Sequence, residues 1–113
     1  LKDRTSEMGA ITGTAELALG LLLALKRGVV RAHNATLAGT WDRDPYLGTQ
    51  LCDKTLGIVG FGRLGRQMAA FGRALGMQVL AADPFVEDSE IRRCAVEPTS
   101  LNDLLSLSDV VSL

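Results

Sequence analysis

Hydrophobic positions along the 113-residue chain follow three different rhythms. Residues 1–13 show none: Lys2, Asp3, Arg4, Thr5, Ser6 and Glu7 make a mixed polar stretch, expected to be a loop. From Thr14 to about Ala38 the chain reads as one long helix, with Thr12 or Thr14 placed to cap it. Leu17, Leu19, Leu21, Leu22, Leu23 and Leu25 lie on all sides of that helix. A helix that is apolar all round is buried all round or spans a bilayer. The uncharged run from Leu17 to Leu25 is too short to span, since about 20 residues are needed. A fold this small cannot cover the helix alone, so a subunit interface is expected there. Past Lys26 the pattern turns polar, with Arg27, Arg31, His33 and Asn34. Gly28, read as lying inside the helix, is expected to cost about 1 kcal/mol against alanine.

The third rhythm begins near Leu51 and alternates short apolar runs with helical periods. Leu56, Ile58 and Val59 form a run suited to a buried parallel strand. Leu64, Met68, Phe71 and Leu75 then recur at helical spacing, beside a stripe of small residues, Gly65, Ala69 and Gly72, which lets a sheet approach closely. Gly76 is placed to end that helix. Residues 77–82 are the next strand, and Pro84 stops it. A helical turn is expected from Glu87 to Arg93, acidic at its start and basic at its end, which suits the helix dipole. Ala95 and Val96 are expected to form a short strand. Ser100 and Asp103 make a capping pair before a short helix, and Asp109 to Leu113 is the last strand. The order β-α-β-α-β-α-β implies a parallel sheet with right-handed crossovers. The expected fold class is therefore α/β, a partial Rossmann-type parallel sheet preceded by a long interface helix.

The candidate chemistry sits between the first two strands. Gly60-Phe61-Gly62-Arg63-Leu64-Gly65 has the G-x-G-x-x-G spacing, and Asp83 follows 18 residues after Gly65. In a dinucleotide site each part has a role. Gly60 permits a tight turn, Gly62 lets backbone approach a pyrophosphate, and Gly65 lets the helix lie close to the strand. The helix N-terminus offers unpaired N–H groups and a partial positive charge to the phosphates. Asp83 stands where a ribose-binding carboxylate is expected. Glycine is common here, at 12 residues, so the spacing alone says little. The strand before it, the helix after it and the acid beyond are what make it specific. The competing reading is an ordinary βαβ unit with no ligand.

Composition narrows the field. The net charge is −1 and the sequence pI about 5.8, which excludes a basic field for nucleic acid or a membrane surface. Cys52 and Cys94 show no C-x-x-C and no nearby histidine, so reduced thiols in a cytoplasmic protein are expected. His33, the only histidine, is expected to be solvated or at an interface rather than a catalytic base. Trp41 reads as a packing anchor, and Arg92 and Arg93 as a solvated helix end. The chain starts with Leu1 and ends on Leu113 within an apolar run, so a piece of a longer protein is expected.

Several spaced blocks in order resemble a known family. They are Ala15 to Leu25, Trp41-Asp42-Arg43, Leu51 to Leu56, Gly57 to Arg66, Asp83-Pro84 and Ser108 to Leu113. Together they are similar to the D-isomer-specific 2-hydroxyacid dehydrogenases, over a span from Ala15 to the last residue. The resemblance implies a nicotinamide-binding domain inserted into a second, substrate-gripping domain. It implies residues 1–50 as loop and connecting, dimerisation helix (Thr14 to Ala38, packed in a homodimer). Residues 51–113 would be an NAD-binding Rossmann domain, incomplete at its C-terminal side. It also implies hydride transfer between NAD(H) and a 2-hydroxy or 2-keto acid. The family's arginine, glutamate and histidine would lie beyond Leu113, so no catalytic residue and no metal ligand is assigned within the chain. Carried over residue by residue, Gly60, Gly62 and Gly65 match the dinucleotide loop, the backbone of Arg63 and Leu64 meets the pyrophosphate, and Asp83 takes the ribose. A carboxylate at Asp83 favours NAD over NADP, because it repels a 2′-phosphate. One departure is Asp53, where the family often has glycine.

Two other function classes fit parts of the pattern. One is a non-catalytic NAD-binding regulatory module of the same family, a corepressor or redox sensor. The other is a methyltransferase that binds adenosylmethionine, which also places glycines after a strand and an acid after the next. The third glycine at Gly65 and the small face of its helix favour the dinucleotide.

Overall fold

The computed structural model describes residues 11–113; the polar stretch expected to be a loop lies mostly outside them. Helix α1 spans Gly13–Lys26 and α2 spans Val29–Leu37, followed by a 3-10 turn at Asp44–Tyr46. Then come β1 (Thr55–Val59), α3 (Arg63–Ala74), β2 (Gln78–Ala82), α4 (Asp88–Arg93), β3 (Glu97–Pro98), α5 (Leu101–Leu107) and β4 (Val110–Ser112). The four strands form one parallel sheet in the order β3-β2-β1-β4. The alternation expected from the sequence is present, and β1 lies in the interior of the sheet.

Leu56 and Gly57 show how both faces of β1 are covered. Successive strand residues point to opposite faces. A Cβ added to Gly72 of α3 would stand 2.6 Å from Leu56 Cδ2, so α3 presses its bare backbone onto the Leu56 side. A Cβ on Gly57 would stand 2.5 Å from Leu104 Cδ2, so α5 presses onto the other. The small-residue stripe of α3 therefore faces the sheet, with Ala69 buried beside it. Ile58, Val79, Ala81, Met68 and Val96 complete the core on the α3 side.

Four sequence-based expectations are revised. The helix read from Thr14 to Ala38 is two helices. Gly28 adopts φ +63 and sits just past the end of α1 while capping α2, so it breaks the helix rather than lying within it. Glycine, costly inside a helix, is well suited to end one. The surround of leucines is also two-sided. Ala15 and Leu22 are buried against the sheet domain, whereas Leu17, Leu21 and Leu25 are 64%, 63% and 78% exposed along one stripe. The short strand lies at Glu97–Pro98, not at Ala95 and Val96. Ala95 takes φ +54 in the turn that ends α4, and Val96 is buried on the way to the strand. Trp41 does not anchor packing within the chain: it is 86% exposed.

Thr12 takes the N-cap position of α1 but makes no side-chain capping bond, whereas the ends of α3 and α5 follow the sequence. Met77 N–H bonds Gly72 O and Gly76 N–H bonds Arg73 O, both at 2.9 Å, with Gly76 at φ +76. That is a Schellman closure of α3. Ser100 caps α5, accepting from Asp103 N–H at 3.1 Å and donating its hydroxyl to the Asp103 carboxylate at 2.8 Å.

A candidate dinucleotide site at the C-terminal end of β1

The glycine turn leaves β1 where the sheet changes direction. From β1 the connections run to β2 on one side and, by way of α5, β4 lies on the other. In an open parallel sheet such a point leaves a crevice beyond the carboxyl ends of the strands. Here two clefts flank the turn. One, of about 410 Å³, is lined by Gly60, Gly62, Arg63, Leu64 and Gly65, with α1 forming its far wall. The other, of about 370 Å³, is lined by Val59, Asp83, Pro84, Thr99, Ser100 and Leu101.

The three glycines have three different reasons. Gly60 sits at φ +91, a conformation that side chains resist, and donates its N–H to Ala82 O at 2.9 Å. Gly65 is a packing glycine: a Cβ there would come 2.2 Å from Gly60 O. Gly62 has neither reason. Its φ of −80 and ψ of −155 suit any residue, and a Cβ would meet nothing within 4 Å. The protein's own packing does not demand glycine at position 62.

Gly62 is also the N-cap of α3, and no side chain caps that helix. The first intrahelical bond is Arg66 N–H to Gly62 O, at 3.0 Å. The N–H groups of Arg63 and Leu64 therefore lack intrahelical partners, the arrangement that receives anions. The Arg63 side chain is engaged elsewhere. Its guanidinium donates to Ile11 O at 2.6 Å, and Gln67 Nε2 donates to the same carbonyl at 3.2 Å. Arg63 thus presents backbone, not charge, to the turn.

Asp83 points back at the glycine turn. Its Oδ2 accepts the Phe61 N–H at 2.7 Å and its Oδ1 accepts the Phe85 N–H at 2.8 Å. These two donors, Phe61 first and Phe85 second, hold the carboxyl below its ordinary value, against the opposing pull of desolvation. Each oxygen keeps a free lone pair for a further donor. All six site residues expected from the sequence thus border one turn. Sequence reasoning passed over Phe61, an interchangeable position within the spacing. Its ring is fully buried and lies under the Arg66 guanidinium, 5.1 Å from the centroid. Arg66 in turn pairs with Glu90 of α4 at 3.0 Å. His33 is exposed on α2, away from either cleft.

A parallel sheet, a glycine turn at its switch point and an acid at the end of β2 define a dinucleotide-binding domain of Rossmann type. Comparison with known proteins gives the particular family. Residues 19–113 match the family described as "D-isomer specific 2-hydroxyacid dehydrogenase, NAD binding domain". The chain belongs to that family, whose cofactor is NAD. It is 37% identical over 105 residues to D-3-phosphoglycerate dehydrogenase of Archaeoglobus fulgidus, covering 93% of this chain and 20% of that protein. Among solved structures it resembles D-lactate dehydrogenase of Escherichia coli, with a TM-score of 0.80 at 33% identity, covering 88% of this chain and 31% of that one. It also resembles D-lactate dehydrogenase of Aquifex aeolicus complexed with NAD and lactic acid, with a TM-score of 0.82 at 34% identity over 88% of this chain and 30% of that one. The chain thus spans about a fifth of the length of the curated relative and under a third of the structural ones.

Proposed function

We propose that the chain is the cofactor-holding part of an oxidoreductase that moves a hydride between NAD(H) and a D-2-hydroxy or 2-keto acid. The observation that carries this reading is Gly62: a backbone left bare at a helix N-terminus, with no steric or conformational need of its own. A diphosphate seated there accepts the N–H groups of Arg63 and Leu64. Asp83 accepts the hydroxyls of the adenosine ribose in the neighbouring cleft, and its charge disfavours a 2′-phosphate. When bound, NAD supplies the hydride-accepting ring; the residues present here bind and orient it. The packing of Gly65 against the Gly60 carbonyl supports a dinucleotide over adenosylmethionine, because it seats the helix N-terminus directly over the turn.

The partner is a second copy of the same chain, meeting along the exposed stripe of Leu17, Leu21 and Leu25 on α1. A cytoplasmic location fits the two free thiols, Cys52 and Cys94. The chain itself, without an arginine–glutamate–histidine set, reduces no 2-keto acid. Calorimetric titration of NAD, NADP and S-adenosylmethionine into the protein carrying this chain tests the reading. NAD is expected to bind with at least tenfold preference over NADP, and Gly62→Val to abolish its binding. Tighter binding of S-adenosylmethionine, or equal NAD affinity in Gly62→Val, refutes it.

A further inference from the structure

The Asp83 carboxylate does more than border a ribose cleft. One of its oxygens takes the Phe61 N–H, which belongs to the glycine turn itself, 22 residues earlier in sequence. The turn has three other fixings. The Gly60 N–H is tied to Ala82 O. The Phe61 ring is buried completely. The Gly60 carbonyl is roofed by Gly65. Between Phe61 and the start of α3 only Gly62 remains, a glycine whose backbone is free to turn and where a Cβ would meet nothing within 4 Å. The direction of the Arg63 and Leu64 N–H groups therefore depends on how firmly the Phe61 peptide is held.

We infer that Asp83 is a positioning residue for the diphosphate as well as a partner for the ribose: through Phe61 N–H it fixes the peptide that aims the α3 N-terminus. This rests on the proposed dinucleotide reading and extends it. A single carboxylate then couples two parts of the ligand. With the turn pre-set, less ordering is left for the moment of binding, and ordering is a cost that binding must offset. The two oxygens also explain why an amide is a poor substitute. The side chain introduced by Asp83→Asn offers one acceptor oxygen and one NH₂, whereas two backbone N–H donors require two acceptors.

Two ligands separate the roles: NAD, and an NAD analogue whose adenosine ribose is 2′,3′-dideoxy and so has nothing to give a carboxylate. In the protein carrying this chain, Asp83→Ala is expected to weaken NAD strongly. It is expected to weaken the dideoxy analogue as well, by about threefold to tenfold, the worth of one backbone hydrogen bond. Asp83→Asn is expected to fall between. If Asp83 serves the ribose alone, wild type and Asp83→Ala bind the analogue equally, within about twofold, and the inference is overturned. If wild type binds neither NAD nor the analogue, the cofactor reading fails instead. A measurement on wild type guards against a misfolded variant. In NMR spectra without ligand, the Phe61 amide is expected to be protected from exchange, and its shift to follow the ionisation of Asp83 in acid. A Phe61 amide that exchanges like a solvent-exposed one and ignores that titration overturns the inference.

Discussion

Gly62 and Gly65 make the sharpest contrast at the scale of single residues. Gly62→Ala adds a methyl to open space at an ordinary backbone conformation. Its weaker N-cap preference is offset by reduced freedom of the unfolded chain, so stability is expected to change by less than about 1 kcal/mol. NAD affinity is expected to fall at least tenfold. Gly65→Ala drives a methyl into the Gly60 carbonyl and is expected to cost about 1–3 kcal/mol before any ligand is added. Denaturant midpoints together with NAD titrations distinguish the two; a stable, NAD-competent Gly65→Ala contradicts the packing argument. Asp53 and Ala95 sit at φ +64 and +54, which L-residues occupy at a cost of about 1–2 kcal/mol. Glycine recovers part of this and loses about 0.5–1 kcal/mol through the unfolded chain. Ala95→Gly is therefore expected to raise stability by up to about 1 kcal/mol. Asp53→Gly should gain less, since aspartate tolerates that region better. The glycine that the family often carries at position 53 now has a conformational reason, which spacing alone did not supply. Asp83 adds a pH dependence. Its carboxyl is held below the ordinary value in the folded state. Its contribution to stability is therefore full above the unfolded value of about 3.9 and is lost as pH falls through the lower folded value. The stability difference between wild type and Asp83→Asn is expected to be flat from pH 5 to 8 and to shrink below about pH 4. A difference that instead varies near neutrality contradicts the hydrogen-bonded carboxylate.

Elements were legible where two independent signals agreed. The α3 helix had a period, a small-residue stripe and a terminal glycine, and all three hold. The stripe meets Leu56, and Gly76 closes the helix by the 6→1 and 5→2 bonds. Ser100 and Asp103 likewise marked the start of α5. Elements were misread where one signal stood alone. Leucines on every side of residues 17–25 suggested one continuous helix, and the pattern was silent about the break because Gly28 reads the same inside a helix as just past its end. Ala95 and Val96 look like strand residues, but the end of α4 needs a left-handed residue, and Ala95 is used for it. Gly57 was not legible at all. Nothing in the sequence says that Leu104 will press on that side of β1, because the contact joins residues 47 apart. Gly57→Val is expected to destabilise the protein by about 1–3 kcal/mol, by overpacking between β1 and α5. Unchanged thermal stability in that variant removes α5 from the account of the core.

Among the described residues the molecule is a four-stranded parallel sheet with helices on both faces and α1 packed beside it. Its radius of gyration is 16.7 Å, against about 13 Å for a compact chain of 100 residues. On α1, Leu17, Leu21 and Leu25 lie exposed to solvent. The proposed pairing of two copies uses this apolar stripe. On that proposal, Leu21→Glu is expected to convert a dimer to a monomer in analytical ultracentrifugation. It is expected to leave α3 and the glycine turn intact, since Leu21 is exposed and is not part of the buried core. A dimer that survives Leu21→Glu and Leu25→Glu together excludes this stripe as the interface. No helix among the described residues is long and apolar enough to cross a membrane. At this scale the sequence blocks announced the cofactor domain well, because a glycine turn must sit between particular neighbours to function. The substrate is not legible in them, because no residue of the described site other than the cofactor-binding set was assigned a role toward it.

On the proposed reading, backbone at the end of β1 holds a diphosphate while Asp83 holds the adjoining ribose. A crystal structure of the protein with NAD tests it directly. Diphosphate oxygens are expected within hydrogen-bond distance of the Arg63 and Leu64 N–H groups, with no atom between the diphosphate and Gly62 Cα and both ribose hydroxyls on the Asp83 carboxylate. NAD lodged elsewhere, or a ribose that leaves Asp83 bonded only to Phe61 and Phe85, would contradict it.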